Sequence, residues 1–249
     1  MEKGIFGKGE VLGGEGLKKK KKGAEIIAID GPAGAGKSTV SKMLARRLRY
    51  RYLDTGAMYR AVALSVGQEG INPEDEAALE RLCQKIKISF QGDSQNQRVM
   101  LGKEDVTEKI REPEVGWMAS RVSMKRPVRE AMVDLQRKIG AKGKIVAEGR
   151  DTGTVVFPDA EYKFFLNAQP EERARRRYRE LTVKELSLKM EDVEKEMIQR
   201  DEQDSSRKLA PLRPAADALL IDSTELNPGE VVANIRQLMK KRERDRGKN

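Results

Sequence analysis

The alternation of apolar and polar segments along the chain predicts a fold in which strands and helices follow each other. Residues 25–30 (EIIAID) form a short apolar run rich in β-branched residues, which is typical of a buried parallel strand. Residues 38–48 (STVSKMLARRL) follow a glycine-rich loop, and their apolar side chains recur at helical spacing: Val40, Met43, Leu44 and Leu48. The fold is therefore predicted to begin with a strand, a loop and a helix.

Four later segments have the same apolar character and predict further strands. The second strand is expected to end at residues 53–56, and Tyr59 and Arg60 are expected to begin the next helix. The other three strands are predicted at residues 145–147, 162–168 and 218–224. Five buried strands separated by helices predict an α/β fold with a five-stranded parallel sheet and helices on both faces.

Two segments interrupt this core. Residues 63–139 contain helices and an alternating stretch at 85–107, which predicts a small antiparallel hairpin. Residues 169–207 are helical and dense in charge, which predicts a helical hairpin. The expected core segments are then residues 24–62, 140–168 and 208–239.

The glycine-rich loop has the spacing of a phosphate-binding loop. Gly31, Gly36, Lys37 and Ser38 fit the pattern G-x-x-x-x-G-K-[ST] between a strand and a helix. Glycines let backbone N–H groups turn toward a polyphosphate, and the helix adds its positive dipole end. Lys37 is expected to reach the β and γ phosphates, and Ser38 to ligate Mg²⁺. The alternative is an ordinary glycine-rich turn. The expected ATP-binding residues are Gly31, Pro32, Ala33, Gly34, Ala35, Gly36, Lys37, Ser38 and Thr39.

Composition limits the chemistry that the chain can perform. It has 249 residues, 38% hydrophobic and 4% aromatic, and no histidine, which excludes Ser-His-Asp catalysis and any histidine-based metal site. The single cysteine, Cys83, lies on a helical stretch and is interpreted as a small core residue. One cysteine, no apolar signal segment and no membrane-length apolar run favour a cytoplasmic protein without disulfides.

The net charge of +10 is concentrated at the two ends. Residues 1–23 carry seven lysines against three glutamates, and residues 240–249 carry six basic residues against two acidic ones. Both segments are interpreted as solvated basic tails, and the 24–239 region is nearly neutral. Weak electrostatic binding of nucleic acid by the tails is possible on this pattern, but neither tail has the aromatic residues of a stacking platform.

Charged residues near the predicted strand ends indicate a second anion site. Thr55 and Arg60 should face the same crevice as the glycine loop, because ligands bind at the carboxyl ends of parallel strands. Glu148 ends another strand, where an acidic residue often holds the hydration shell of Mg²⁺. A run of arginines in the 169–207 segment should repel itself unless an anion visits it, as when a mobile arm closes over a triphosphate. These residues are Arg173, Arg175, Arg176, Arg177 and Arg179.

Six motifs, in this order, resemble the bacterial-type cytidylate kinase family of P-loop nucleoside monophosphate kinases. They are IDGPAGAGKST, LDTGAMYRA, EGRDTGTVVFPDA, ERARRR, RDEQDSSR and APLRPAADALLIDST, and they extend over most of residues 24–239. The resemblance implies transfer of the ATP γ-phosphoryl group, with Mg²⁺, to CMP or dCMP. It makes residues 63–139 a monophosphate-binding insert and residues 169–207 a LID. Glu148 stands where the family more often has aspartate, and residues 1–23 have no counterpart in the family pattern.

The resemblance also implies roles for individual residues. Around the cytosine it implies Thr55, Ser120, Arg129 and Asp151. For the acceptor phosphate it implies Arg60, Arg150 and Arg207. Along the ribose it implies Arg200 and Asp204, and Lys37, Arg150 and Arg176 are expected to stabilise the transition state.

Other functions are compatible with parts of this pattern. A P-loop kinase with UMP as acceptor, or one with a hydroxyl acceptor and Asp30 or Asp54 as its general base, is the enzymatic alternative. A nucleotide-dependent switch lacks support because no N-K-x-D guanine signature is present. A nucleic-acid-binding ATPase is disfavoured by the small charge of the core. The protein is expected to be a monomer without a membrane partner.

Overall fold

A parallel five-stranded sheet lies at the centre of the protein. The computed structural model describes residues 25–182 and 189–246. The strands are β1 (Ile26–Asp30), β2 (Arg51–Asp54), β3 (Ile88–Gln91), β4 (Arg98–Leu101), β5 (Glu104–Asp105), β6 (Ile145–Gly149), β7 (Tyr162–Asn167) and β8 (Leu219–Asp222). The helices are α1 (Lys37–Leu48), α2 (Thr55–Gln68), α3 (Glu76–Lys85), α4 (Pro113–Val122), α5 (Arg126–Gly140), α6 (Pro170–Thr182), α7 (Met190–Ser206) and α8 (Pro228–Arg246).

The strand order of the central sheet is β2-β6-β1-β7-β8, and every pairing in it is parallel. This order confirms the predicted five-stranded α/β sheet. The middle strand β1 ends at Asp30, which is paired with Gly149, and Asp54 is paired with Glu148 in the adjacent strand pair. The carboxyl ends of β1, β2 and β6 therefore lie side by side, which is where ligands bind in sheets of this type.

Each face of the sheet is covered by a separate apolar cluster. Helices α1 and α8 cover one face, where Leu44 and Ile235 are fully buried. The other face is covered by α2 and α5, whose Met58 and Met132 are buried at 0% and 1% exposure. Burying one such side chain stabilises the fold by about 1.5–3 kcal/mol relative to leaving it in water. The sheet edge that carries the charged residues is thus held between two packed layers.

The predicted antiparallel hairpin is present and has a third strand. Strands β3, β4 and β5 form a separate antiparallel sheet in that order. Strand β5 has only two residues, too few to be recognised from alternation in the sequence.

Helix α2 begins earlier than the sequence analysis predicted. It starts at Thr55 rather than near Tyr59, directly after β2. Asp54 is its N-cap, and the carboxylate Oδ1 of Asp54 accepts a hydrogen bond from the backbone N–H of Ala57 at 2.9 Å. A side-chain cap of this kind lets a helix start without a loop. The sequence analysis also missed the π-helical turn Thr152–Val156, which follows β6.

The predicted helical hairpin at residues 169–207 corresponds to α6 and α7. Residues 183–188, between these two helices in the sequence, lie outside the described residues, and so does the basic segment 1–23. Helix α8 continues past residue 240, where a basic tail was expected to begin, as far as Arg246. Arg246 forms an ion pair with Glu161 at 3.0 Å, so the described part of this segment contacts the core. No helix in the described ranges is long and apolar enough to cross a membrane.

Cys83 is expected to react slowly with thiol reagents. It lies in α3 against the apolar cluster, and burial raises the pKa of its thiol to about 11. Because only the thiolate reacts, the native rate with Ellman's reagent at pH 8 should be roughly 100-fold or more below that of the chain unfolded in guanidinium. Equal rates in the two states would show that the partly buried thiol of Cys83 is not shielded by the apolar cluster.

Candidate active site

The glycine-rich loop joins β1 to α1 and leaves the start of α1 open. Gly36 is the N-cap of α1, in the left-handed conformation (φ 85°), and no side chain caps the helix. The first N–H groups of a helix have no partner within the helix, so an uncapped start is suited to an anion. Ser38 and Thr39 are exposed there. These positions agree with the predicted phosphate loop.

Lys37 is buried at the first position of α1. Its side chain is 7% exposed, and its Nζ donates a hydrogen bond to the carbonyl oxygen of Pro32 at 2.6 Å. Burial lowers the pKa of Lys37, and the positive charge of Arg150 lowers it further. Both effects favour the uncharged amine until an anion is present.

Four cations form a group beside the loop, named here the cationic cluster: Lys37, Arg60, Arg150 and Arg200. Burial followed by the charge of Arg150 lowers the pKa of Arg200 to about 10, and Arg60 also contributes to this shift. The pKa of Arg60 is lowered by burial, with a contribution from Arg150. The Nε of Arg200 is buried without a hydrogen-bond partner. Mutual repulsion and an unpartnered donor indicate a place for an anion.

A buried ion-pair group, named here the Asp151 cluster, lies next to it. Arg129 donates a hydrogen bond from Nη2 to the Oδ2 of Asp151, and both side chains are under a tenth exposed. Arg207 approaches the other oxygen of Asp151, with its Nη2 at 3.5 Å. The guanidinium of Arg129 also lies 5.7 Å from the ring centroid of Tyr59. Asp151 therefore pairs with both Arg129 and Arg207.

Asp204 joins the two clusters. Its Oδ2 accepts a hydrogen bond from the Nε of Arg150 at 2.8 Å, and its Oδ1 lies 3.7 Å from the Nη1 of Arg207. These cations lower the pKa of Asp204, although its burial acts in the opposite direction. The spacings of four and three residues between Arg200, Asp204 and Arg207 predict a shared helix face, but α7 ends at Ser206 and Arg207 is extended. Arg207 reaches the site from the residue that follows the helix.

Two predicted base-site residues have partners inside the protein. The hydroxyl of Thr55 donates a hydrogen bond to the carbonyl oxygen of Glu148 at 2.6 Å and thereby ties α2 to β6. The hydroxyl of Ser120, in α4, donates to the Oε1 of Gln203, in α7, at 2.7 Å. Ser120 thus links the 63–139 segment to the 169–207 segment.

The arm formed by α6 and α7 lies directly against the glycine-rich loop. Arg173 donates hydrogen bonds to the carbonyl oxygen of Ala33 at 3.1 Å and to the carboxylate of Asp201. A Cβ on Gly34 would lie 2.7 Å from the carbonyl oxygen of Arg173 and 2.8 Å from the Cε of Met197. Only glycine fits at this position, because the arm and the loop are in contact there.

Carboxylate side chains pair with arginines of the run in the arm. Arg175 and Arg176 pair with Glu172 at 2.6 and 3.0 Å, and Arg177 pairs with Glu180 at 3.2 Å. Arg173 pairs with Asp201, as described above. The repulsion that was expected to require an anion is thus balanced within the protein. Arg176 also donates hydrogen bonds to the backbone of residues 223 and 224 and lies beside the loop, 3.8 Å from a Cβ built on Gly36.

An acidic pair lies at the ends of β2 and β6. Glu148 is paired in register with Asp54, is 3% exposed, and accepts a hydrogen bond from the hydroxyl of Tyr52. Burial raises the pKa of Glu148, and the negative charge of Asp54 raises it further. Within the described ranges, no group of three or more His, Cys, Asp or Glu side chains could hold a metal ion by itself.

Four residues of this region were missed by the sequence analysis as site residues: Asp30 in an ordering role, Tyr52, Asp201 and Gln203. The sequence analysis predicted Asp30 only as a candidate general base. Its position in the motif IDG, directly before the phosphate loop, was a usable signal for another role. Asp201 and Gln203 lie in the motif RDEQDSSR, so their position in that motif was a usable signal. Tyr52 gave no signal, because an aromatic residue in a predicted strand indicates only a buried position.

Comparison with known proteins agrees with the motifs. A sequence model described as cytidylate kinase matches residues 27–241. The chain is 51% identical over 217 residues to the cytidylate kinase of Citrifermentans bemidjiense, covering 87% of this chain and 93% of that protein. It is 50% identical to the cytidylate kinase of Carboxydothermus hydrogenoformans, and the match covers 86% of this chain and 96% of that protein.

One similar solved structure is a shikimate kinase from Acinetobacter baumannii in complex with shikimate. The identity is 16% and the TM-score 0.46, with 88% of this chain and 94% of that chain covered. A likeness this low supports no conclusion about the acceptor. The match over 27–241 and identities near one half over nearly the whole length of the relatives do decide the family. On that basis, and with its phosphate loop and cationic cluster at one edge of a parallel sheet, the chain belongs to the cytidylate kinase family.

Proposed function

We propose that this chain transfers the γ-phosphoryl group of ATP to CMP or dCMP, which gives ADP and CDP or dCDP. The observation that carries the proposal is the cationic cluster beside an uncapped phosphate loop. Burial and mutual repulsion lower the pKa of Lys37, Arg60 and Arg200, so these groups gain most when anions enter the site. A triphosphate and a monophosphate together supply that charge.

The donor nucleotide is proposed to bind the glycine-rich loop, residues 31–39. The N–H groups at the start of α1 are free of side-chain caps and suit the β and γ phosphates. Lys37 then exchanges its bond to Pro32 for phosphate oxygens and becomes fully charged, because a neighbouring anion raises the pKa of an amine. Arg176, which lies beside Gly36, is proposed to reach the same phosphates.

The acceptor phosphate is proposed to bind Arg60, Arg150 and Arg207. An oxygen of a monophosphate is a sufficient nucleophile, because its second pKa is about 6 and it is largely ionised at neutral pH. No general base is then required, and catalysis consists of positioning and charge neutralisation. Arg200 and Asp204 are proposed to lie along the ribose.

A hydroxyl acceptor is less well supported, because both candidate bases have partners. Asp30 accepts backbone N–H groups on both carboxyl oxygens, at 2.8 and 2.7 Å. Asp54 caps α2. A carboxylate held in this way is poorly placed to take a proton from a substrate hydroxyl, since a general base must lie within hydrogen-bond reach of it.

The residues present fit Mg²⁺ bound together with ATP. Mg²⁺ prefers oxygen ligands and usually takes only one or two from the protein beside phosphates and water. Ser38 at the start of α1 has its side chain within hydrogen-bond reach of Glu148, and with Asp54 at the adjacent strand end these residues supply such oxygens. We propose Ser38 as the protein ligand. When bound, Mg²⁺ would neutralise charge on the ATP phosphates.

The cytosine is proposed to bind at the Asp151 cluster with Ser120. Its amino group suits the carboxylate of Asp151, and its N3 and O2 acceptors suit the guanidinium of Arg129. Thr55 supports this region through its bond to Glu148 rather than through a free hydroxyl. Residues 63–139 would act as the monophosphate-binding insert and residues 169–207 as the LID. A monomeric state and a cytoplasmic location are part of the proposal.

A coupled assay of ADP formation tests the acceptor. ATP is combined in turn with CMP, dCMP, UMP, AMP, GMP and shikimate. CMP and dCMP are expected to stimulate ADP formation most. Stimulation by none of these compounds would overturn the proposal, and a preference for shikimate would favour the hydroxyl acceptor.

The basic segment 1–22 is expected to contribute little to turnover. A basic segment that makes no direct contact with the nucleotides would lend only screened, long-range attraction to an anionic substrate, because the Debye length is about 8 Å at physiological salt. Deleting residues 1–22 should leave kcat/KM for CMP within about twofold. A tenfold loss at the same ionic strength would mean that the segment takes part in the site.

A further inference from the structure

The carboxylate of Asp30 forms two buried hydrogen bonds that have no part in the proposed contacts with ATP or CMP. It is the last residue of β1 and is 4% exposed. Its Oδ1 accepts a hydrogen bond from the backbone N–H of Thr152 at 2.8 Å, and its Oδ2 accepts one from Gly153 at 2.7 Å. These two N–H groups are the first of the π-helical turn Thr152–Val156.

The first N–H groups of a helical turn need acceptors from outside the turn. The residue in position to cap this turn is Asp151, yet its side chain makes no capping bond. The carboxylate of Asp151 is instead turned to Arg129 and Arg207. Asp30 therefore caps the turn from a neighbouring strand, and the carboxylate of Asp151 is left available for the buried cations and for a ligand.

The anchored turn carries two proposed acceptor contacts. Asp151 directly precedes the capped residues, and Arg150, one residue earlier, donates to Asp204 at 2.8 Å. The approach is close, because a Cβ on Gly153 would lie 3.3 Å from the Oδ2 of Asp30. The two hydrogen bonds to Asp30 restrain the backbone of Thr152 and Gly153, directly after Arg150 and Asp151.

We propose that Asp30 is a positioning residue for the acceptor: it caps the turn after β6 and thereby orients Arg150 and Asp151. This inference rests on the proposed function. Asp30 also directly precedes Gly31, so one side chain fixes the acceptor turn to the strand that carries the phosphate loop. Burial raises the pKa of Asp30, and the two backbone N–H groups act in the opposite direction because they favour the ionised carboxylate.

Asp30→Asn tests the proposal with little change of shape. The amide has one acceptor oxygen, so one backbone N–H would face an NH₂ donor and remain unpaired. A buried donor left in this state should lower kcat/KM for CMP roughly 10- to 100-fold. The loss should appear as a higher KM for CMP and a smaller ratio of kcat/KM for CMP to kcat/KM for UMP. The KM for ATP should stay within about twofold of the parent value.

Asp93→Asn is the matched control. The Oδ1 of Asp93 also accepts two backbone N–H groups, from Gln95 and Asn96 at 2.8 and 2.9 Å, but in an exposed turn outside the site. It should keep the parent KM values and CMP:UMP ratio. A folded Asp30→Asn protein with the parent ratio, or with a loss confined to the KM for ATP, would overturn the inference.

Amide exchange tests the same bonds without relying on activity. In the parent protein, the amide protons of Thr152 and Gly153 should exchange slowly, and in Asp30→Asn at least one of them should exchange faster. Fast exchange of both in the parent would overturn the inference even if the variant failed to fold. A parent protein that is inactive with CMP but protects both amides would overturn the proposed function and leave the capping role supported.

Discussion

Lys37→Met is expected to lower kcat by roughly 10³-fold or more, with the fold intact. The ammonium group is proposed to neutralise charge on the oxygens between the β and γ phosphates, and that charge grows as the γ-phosphoryl group leaves. Lys37 sits in a buried place, at 7% exposure, where an interaction with phosphate is screened far less than in water. Methionine has a similar length but no charge, so it removes this interaction together with the hydrogen bond to the carbonyl oxygen of Pro32.

Lys85→Met is the control for this variant. Lys85 is exposed in the last turn of α3, so the same change of side chain is made outside the site. It should leave kcat unchanged, and both variants should keep the circular dichroism spectrum of the parent. Near-parent turnover by a folded Lys37→Met protein would count against the phosphate-loop role.

Asp151→Asn is expected to lower kcat/KM for CMP about 100-fold and to reduce the ratio of kcat/KM for CMP to kcat/KM for UMP. The carboxylate is proposed to accept a bond from the cytosine amino group, where uracil has an oxygen instead. The NH₂ group of asparagine can donate a hydrogen bond to that uracil oxygen, so kcat/KM for UMP should fall much less than kcat/KM for CMP. The steady-state parameters of both nucleotides, measured side by side, give the ratio.

Stability must be followed in the same experiment. Asp151 is buried between Arg129 and Arg207, and removing one partner of a buried pair leaves an uncompensated charge. A lower melting temperature is therefore expected, and kinetics should be recorded well below it. Asp217→Asn is the control, because Asp217 pairs with Lys163 at 2.8 Å outside the site. An unchanged CMP:UMP ratio in Asp151→Asn would show that Asp151 serves only the fold.

The architecture of the core was predictable because its signals are local. Buried parallel strands are apolar throughout, and the glycine loop fixes where the first strand ends and the first helix begins. The five strands and their parallel pairing follow from these runs and from the helices between them. The order β2-β6-β1-β7-β8 required the structure, because it depends on packing across long stretches of chain.

The sequence-based predictions failed at a helix start that is set by a side-chain cap and at contacts between residues that lie apart in the sequence. Helix α2 begins at Thr55, before the predicted start, because Asp54 caps it. Asp54 is also the last residue of β2, so the sequence shows no loop between strand and helix. The arginine run of the arm predicts unbalanced charge, but Glu172 pairs with Arg175 and Arg176, three and four residues away on the same helix. The cap that Asp30 provides joins residues more than a hundred positions apart, and nothing in the local sequence indicates it.

Label transfer from [γ-³²P]ATP in the presence of CMP tests the central claim most directly. The purified chain is incubated with both nucleotides and Mg²⁺, and the labelled products are separated by thin-layer chromatography. The proposed function predicts that the label moves into CDP, in amounts that match the ADP formed, and that UMP yields far less labelled UDP. Label found only in inorganic phosphate, with no labelled CDP, would contradict the account.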